Sequence, residues 1–431
     1  MPFENSPVAP RRIAIIGGGI SGMGAAHRLS QNYHVTLFEA ERRLGGHART
    51  VMAGKSGEQP VDTGFIVYNE VNYPNLVKLF DELNVPTVDS DMSFGVSIAG
   101  GKIEYALHSI DAIFAQRKNV ADPRFLRMLR DVLRFNARAA ELPKDSEQSI
   151  GDFLAEMRTG KWFRDHYLLP LTGAIWSTPL ERMMEFPAQA LIRFMKNHGL
   201  TGYHDQHQWR TVQGGSIQYV TRLQQRLSDS GVDIRLGAPI KSVTRDAFGA
   251  HVTPVGGEAE QFDEVIFATH SDQALALLAD ASPAEAHSLG AVRYQPNTAV
   301  LHADASLMPK RRKVWASWTY CEDAIGARDE IDLTYWMNSL QPIPKDDPMF
   351  VTLNSTRTIR DELIYDTNTF MHPVFELGAL KAQQDISVTN GTNRTWFCGA
   401  WMKNGFHEDG LSSAIDVAEA IIAADVGMAA A

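Results

Sequence analysis

The sequence predicts an α/β protein in which a Rossmann-type domain is interleaved with an α+β domain. Two observations predict the first part. Between residues 13 and 39 an apolar run, a glycine turn, a small-residue helix, a second apolar run and an acid follow in that order. Further apolar runs of strand length recur at 232–236, 262–268 and 395–399. A third observation predicts the insertion: residues 109–198 have mostly helical apolar spacing, and residues from about 291 to 375 alternate apolar and polar as sheet does.

The first run, Ile13-Ala14-Ile15-Ile16, reads as a buried strand. It stops at Gly17-Gly18-Gly19-Ile20-Ser21-Gly22, which places Gly17, Gly19 and Gly22 in a G-x-G-x-x-G. Gly17 permits the tight turn, Gly19 lets backbone N–H groups approach a pyrophosphate, and Gly22 lets helix and strand pack closely. Met23, Ala25, Ala26 and Leu29 then make a helix whose N-terminus favours phosphate. The second strand, Val35 to Phe38, ends at Glu39, a carboxylate able to accept ribose hydroxyls. A lone G-x-G-x-x-G is often only a turn. Strand, glycines, helix, strand and acid together predict a dinucleotide site.

The next segment runs Glu39-Ala40-Glu41-Arg42-Arg43-Leu44-Gly45-Gly46-His47, and Asp62-Thr63-Gly64-Phe65 follows. Near the C-terminus stand Phe397-Cys398-Gly399-Ala400-Trp401 and Gly405-Phe406-His407-Glu408-Asp409-Gly410-Leu411-Ser412. In these motifs the sequence resembles the flavin amine oxidase and phytoene desaturase-like superfamily, over nearly the whole chain. Within it, the chain resembles bacterial FAD-binding oxidoreductases associated with fatty-acyl modification. It departs at one point: His47 stands where the family's R-x-G-G-R ends in Arg, with Arg49 two residues on.

The resemblance implies a glutathione-reductase-like FAD domain over 1–70, 205–290 and 388–431, and a substrate domain over 71–204 and 291–387. It implies one non-covalent FAD. Gly17, Gly19, Ile20, Ser21, Gly22, Glu39, Ala40 and Arg43 are expected at its nucleotide and pyrophosphate. Gly45, Gly46, His47, Gly64 and Phe65 come from the second glycine turn and the D-x-G. Val243 is expected at the adenine, Ala268 where the chain passes the flavin, and Gly399, Gly410, Leu411 and Ser412 in the C-terminal motif.

At 431 residues and 47.8 kDa the chain is long enough for two sizeable cores. A net charge of −10 excludes nucleic acid as the main partner. The two cysteines, Cys321 and Cys398, form no C-x-x-C and suit a reducing cytoplasm. Arg11-Arg12 leads into a strand and glycine turn rather than an export signal, and no apolar run of about 18 residues spans a membrane.

In chain order, 72–83 reads as a helix and 94–105 as two strands around Gly100-Gly101. The helical stretch 109–198 is expected to break at Pro143, Pro170, Pro179 and Pro187. A helix over 217–227 and strands at 232–236, 240–244 and 262–268 return to the FAD domain. Strands are expected at 298–302, 314–320, 333–338 and 349–354, and a closing helix at 411–424.

Candidate chemistry gathers in the C-terminal motif. His407, Glu408 and Asp409 are candidate catalytic residues in a loop before a helix: they contact the cofactor or accept a proton, or Asp409 and Ser412 cap the helix. Trp318, Tyr335, Trp336 and Phe406 are candidate walls for an apolar substrate; ordinary sheet packing explains the three strand residues equally. Arg124, Arg127, Arg130, Arg134 and Arg138 line one helical face, which is either solvated or lies on an anionic membrane. Histidines 108, 166, 198, 204 and 207 lack metal-ligand spacing, so no metal is expected. The expected function is hydride abstraction from a C–H bond to flavin N5, desaturating or oxidising a fatty-acyl chain in the cytoplasm or at the inner membrane. Oxidation of a small or polyamine-like amine, and FAD binding without turnover, are the alternatives.

Overall fold

A computed structural model describes residues 10–138, 148–176, 184–185, 187–197, 207–322 and 332–430. Arg12–Ile16 is the centre of a five-stranded parallel sheet. His34–Phe38 and Asp233–Arg235 extend it on one side, Glu264–Phe267 and Thr395–Phe397 on the other. Helices or sheet cover both faces, which is why these strands are nearly unbroken apolar runs. Ile13, Ile15, Leu37 and Ile266 pack under the helices Ile20–Leu29 and His407–Ala430 through Met23, Ala26, Leu29, Val417 and Ala418. On the opposite face Ala14, Ile16, Phe38 and Phe267 meet Val243, Val252 and Phe262 of an antiparallel three-stranded sheet.

The stretch after residue 70 stays with this unit. Leu76, Leu79 and Phe80 of the Pro74–Glu82 helix join its core, and Val67–Asn69 and Thr87–Ser90 both pair with Trp209–Val212. The boundary expected at 70/71 therefore falls inside a packed layer.

A seven-stranded mixed sheet forms the second core, in the order Ile364–Val374, Arg293–His302, Phe350–Leu353, Asp332–Trp336, Trp318–Glu322, Phe94–Ile98, Ile103–Ala106. Its inner face (Ala299, Leu301, Val351, Leu353, Leu333) packs against Phe125, Met128, Val132 and Phe135 of the Pro123–Arg138 helix and against Leu191, Ile192 and Met195.

Three expected elements differ. The strand expected at 314–320 begins at Trp318, because Arg312–Val314 forms a tight helical turn and the Trp315 indole donates to the Pro309 carbonyl at 2.9 Å. The strand expected at 333–338 ends at Trp336: Asn338 turns away, donating to the carbonyls of Pro344 and Asp347 and accepting the Met349 N–H. Pro170 does not break its helix. It sits in the first turn of Leu169–Trp176, directly after a wider turn at Arg164–Leu168, where its missing N–H costs little. Pro143 and Pro179 lie outside the described residues.

Candidate active site

The two glycine turns lie on each other. Gly45 N–H donates to the Gly18 carbonyl at 2.9 Å, and Gly19 and Gly45 form a parallel bridge. A Cβ on Gly22 stands 1.8 Å from the Gly17 carbonyl oxygen, so only glycine permits this helix to leave this turn. Gly19 faces open space instead: a Cβ there meets nothing nearer than the Gly46 Cα at 4.0 Å. The helix that starts at Ile20 has no side-chain cap and no acid in its first turn, so its leading N–H groups are left for an anion. Glu39 closes the cradle, accepting Gly18 N–H at 2.6 Å and Glu41 N–H at 2.8 Å. An uncapped helix start, an open glycine and an oriented carboxylate fit a dinucleotide. Ala40 is exposed beside Glu39. Arg43 is spent on the loop itself, donating to the carbonyls of Gly46 at 3.0 Å and Ala48 at 3.2 Å.

The C-terminal motif arrives beside this cradle. A Cβ on Gly410 stands 2.9 Å from Ser21 Oγ and 3.1 Å from an Ile20 methyl, so the two helix starts are adjacent. Leu411 packs against Gly24, Ser412 accepts from Lys403 Nζ at 2.5 Å, and Gly399 N–H donates to Ser413 Oγ at 2.9 Å. Ala268 backs the first turn, donating its N–H to Ile16 O at 2.8 Å.

Val243 does not face the cradle. Its carbonyl accepts Ala279 N–H at 3.0 Å, it pairs with Val252, and it is fully buried. The backbone that touches the Glu39 region is Gly237-Ala238, whose N–H groups donate to the carbonyls of Glu41 and Glu39 at 2.7 and 2.9 Å. The strand beginning at Ile240 follows directly.

His47 leads from the cradle into a second space. Its carbonyl accepts Phe65 N–H at 2.9 Å, and a Cβ on Gly64 stands 2.0 Å from that same oxygen, which explains the D-x-G glycine. Asp62 of that motif is a structural tie: it is buried and accepts from Ser216 N and Oγ, Thr50 Oγ1 and Gln341 Nε2. Burial pushes its carboxyl up to about 6, against those donors. The His47 ring lies 5.0 Å from Phe370, 5.7 Å from His372 and 5.9 Å from His270. His270 stacks on Tyr294 at 4.3 Å. His407 stacks on Phe65 at 4.0 Å, and its Nε2 is 2.7 Å from the Tyr219 hydroxyl. Burial, then neighbouring imidazoles, lowers His47 and His372 to about 4 and His407 to about 3; His270 falls to about 4 likewise. All four are neutral at physiological pH.

The other catalytic candidates serve the scaffold. His407, Glu408 and Asp409 form the first turn of the His407–Ala430 helix, not a loop. Glu408 caps a different helix, accepting the N–H groups of Asn75 and Leu76 at 3.0 and 2.9 Å. Asp409 reaches back to Phe406 N–H at 2.9 Å, as the third residue of a capping box does. Of the aromatic candidates, Trp318 and Tyr335 form a cross-strand pair 5.6 Å apart, and with Phe406 they are partly buried against the inner core. Trp336 is on the wrong face. It lies one residue from Tyr335, so the pleat turns it outward against Trp315 and under the Arg312 guanidinium, 4.9 Å from its ring.

The sequence reading passed over His372, Asn297, Tyr219 and Phe370. Asn297 and His372 carried a signal: both are polar residues at inward positions of alternating strands. Among the described residues no group of three or more His, Cys, Asp or Glu is arranged to hold a metal ion.

A family model described as flavin containing amine oxidoreductase matches residues 20–304. Protoporphyrinogen oxidase 2 of Arabidopsis thaliana is 48% identical over 46 residues, 10% of this chain and 9% of that protein. Coproporphyrinogen III oxidase of Mycobacterium tuberculosis is 38% identical over 82 residues, 18% and 17% of the two chains. The matched stretches thus span only a small part of those relatives. Solved structures match almost end to end. A putative protoporphyrinogen oxidase from Exiguobacterium sp. has TM-score 0.70 and 17% identity, covering 95% of this chain and 98% of that one. Putrescine oxidase bound to putrescine gives 0.68 and 17%, covering 96% and 99%. A CLA-producing fatty acid isomerase from P. acnes gives 0.67 and 14%, covering 96% and 99%. At these identities the likeness is one of fold.

Proposed function

The chain belongs to the flavin containing amine oxidoreductases, FAD-dependent oxidoreductases, and from that premise we propose that it oxidises or desaturates a neutral fatty-acyl chain. The flavin supplies the hydride acceptor. The protein's own part is to hold the cofactor, to exclude charge and to line up the chain. The Gly19 and Gly46 backbones with the Ile20 helix start would receive the pyrophosphate, and Glu39 would receive the ribose. The FAD would be held without a covalent link, Cys398 of the C-terminal motif being fully buried at the end of its strand.

The observation that carries the substrate reading is the packing of imidazoles around His47, with His270 and His372 at 5.9 and 5.7 Å from its ring. Four imidazoles face this chamber uncharged, and the carboxylates of the region are committed elsewhere. Asp62 holds Ser216, Asp366 is bidentate to Arg49, and Glu408 and Asp409 cap helices. An ammonium substrate finds no free counter-charge there among the described residues. A hydrocarbon chain finds Trp318, Tyr335, Phe406, Ile66 and Val67, all partly buried against the core, and gains about 0.8 kcal/mol for each buried CH₂. The Pro123–Arg138 helix, with Leu126 and Leu133 exposed beside its arginines, supports delivery from an anionic lipid surface.

Anaerobic mixing tests the reading. The flavin should bleach with unsaturated or methyl-branched acyl lipids and stay oxidised with monoamines and polyamines. Bleaching by an amine, with acyl lipids inert, overturns it in favour of amine oxidation.

A further inference from the structure

A polar thread crosses the inner face of the seven-stranded sheet, and its polarity can be read from one end. The backbone N–H of Thr298 can only donate, and it donates to Asn354 Oδ1 at 2.9 Å. That orients the Asn354 amide, whose Nδ2 donates to Asn297 Oδ1 at 2.7 Å. Asn297 in turn presents its Nδ2, 3.0 Å from His372 Nδ1 and 3.4 Å from the Gln295 carbonyl. His372 Nδ1 must therefore accept, which puts the proton of the neutral ring on Nε2. Reversing any one member leaves two N–H groups face to face, ending at a backbone donor that cannot turn. Asn297 is fully buried, directly opposite Phe370 in the sheet register. Asn354 sits at φ 48, a left-handed conformation that asparagine tolerates and most residues do not.

Among the described residues the thread ends at His372. His372 stacks on His47 at 5.7 Å, and its Nε2 has no hydrogen-bond partner among the described residues. A hydrogen-bond chain of fixed direction that ends on a donor with no partner among the described residues has a ligand's acceptor as its natural terminus.

We propose that Asn354 and Asn297 hold His372 Nε2–H as a neutral donor for the carbonyl oxygen of an acyl ester or amide. This rests on the acyl reading above and deepens it, naming the polar group that anchors the chain. It also predicts poor binding of ammonium groups, which bring only further N–H donors to a donor. Asn297 and Asn354 are positioning residues; His372 is the one that touches substrate.

The test uses the FAD-loaded protein with two detergent-dispersed probes of equal chain length, methyl oleate and octadecene, which lacks the ester. Affinity is read from perturbation or bleaching of the flavin spectrum. The wild-type protein should prefer the ester by about tenfold, the worth of one hydrogen bond to a buried donor. His372→Phe and Asn297→Leu should bring that ratio close to one. His372→Gln, which keeps a side-chain N–H, should recover part of it, and the two His372 variants decide the matter if Asn297→Leu does not fold. An ester preference that survives in His372→Phe overturns the proposal. So does a changed resting flavin spectrum in His372→Phe with the ester preference intact, because the donor would then serve the flavin's own carbonyl edge. Failure of both probes in the wild-type protein, with an amine bleaching the flavin, overturns the acyl reading itself.

Discussion

At the cradle around Gly19 almost every partner is main chain; in the chamber around His47 almost every partner is a side chain. The cradle offers the open backbone at Gly19 and the N–H groups of the Ile20 helix start, with Gly18 N–H taken by Glu39, and the glycine at 19 leaves space. The chamber offers imidazoles, phenols and amides tied to one another: His407 to Tyr219, His372 to Asn297, Asn297 to Asn354. Backbone chemistry is generic and can hold the same phosphate in any member of a family. Side-chain chemistry is where one chain departs from its relatives. His47 belongs to both regions, with its carbonyl in the D-x-G turn and its ring among the histidines.

The largest effect breaks the cradle alone. Glu39→Arg replaces a carboxylate that orders Gly18 and Glu41 with a bulky cation, and the purified protein should lose its flavin absorbance entirely. Full flavin occupancy in that variant would remove Glu39 from the cofactor site. In the wild-type protein, acid precipitation should release all the yellow colour into the supernatant; colour left in the pellet would mean a covalent link.

The two regions also differ in how far the sequence exposed them. The cradle lies within residues 13–47, so its spacing is local and each glycine has one steric reason. The sheet strands were legible for the same reason, as short apolar or alternating runs. The chamber brings together residues 47, 65, 219, 270, 297, 372 and 407, which only the fold places side by side. Glu408 and Asp409 looked chemical because two carboxylates next to a flavin motif are eye-catching. Their work is backbone capping, and Glu408 caps a helix more than 300 positions away, at Asn75, which no local pattern announces. Trp336 was misplaced by one step of the pleat: strand periodicity puts Tyr335 and Trp336 on opposite faces, and taking both as one wall ignored it.

That pleat gives the next prediction. Tyr335→Ala opens the inner face and should weaken long acyl chains more than short ones. Trp336→Ala removes a ring packed on Trp315, Phe350 and Arg312 on the outer face. It should cost about 3 kcal/mol of stability and leave chain-length preference alone. Denaturant midpoints and substrate-length profiles of the two variants separate the faces; a shifted length profile in Trp336→Ala would put both rings on one wall.

Protonation distinguishes the regions as well, since the buried histidines stand in the chamber. The folded pKa values of His47, His270 and His372, about 4, lie below the ordinary 6.5, and that of His407, about 3, lies further below. Between these values the unfolded chain binds protons that the folded chain refuses, so stability should fall as pH drops from 6.5 toward 4. Removing one such histidine, as in His372→Phe, should flatten that dependence by up to one proton, about 1.4 kcal/mol per pH unit. An unchanged slope in unfolding titrations would mean that His372 is already protonated in the folded protein.

The smallest effect lies outside both regions, on the Pro123–Arg138 helix that covers the chamber's outer core. Its arginines are not equivalent. Arg127, Arg130 and Arg134 surround Asp131, whose side chain is fully buried and accepts Gly160 N–H at 2.9 Å. Reversing those three leaves a buried carboxylate without compensation and confounds surface binding with unfolding. Arg124 and Arg138 pair instead with Asp122 and Glu156 near the ends of the helix and are half or more exposed. Leu126 and Leu133 are exposed on the same helix. Arg124→Gln with Arg138→Gln should therefore weaken binding to anionic vesicles by about 1 kcal/mol for each charge removed, with flavin content and thermal midpoint nearly unchanged. Vesicle sedimentation measures it. If the double variant binds like the wild-type protein, the stripe is a solvated face.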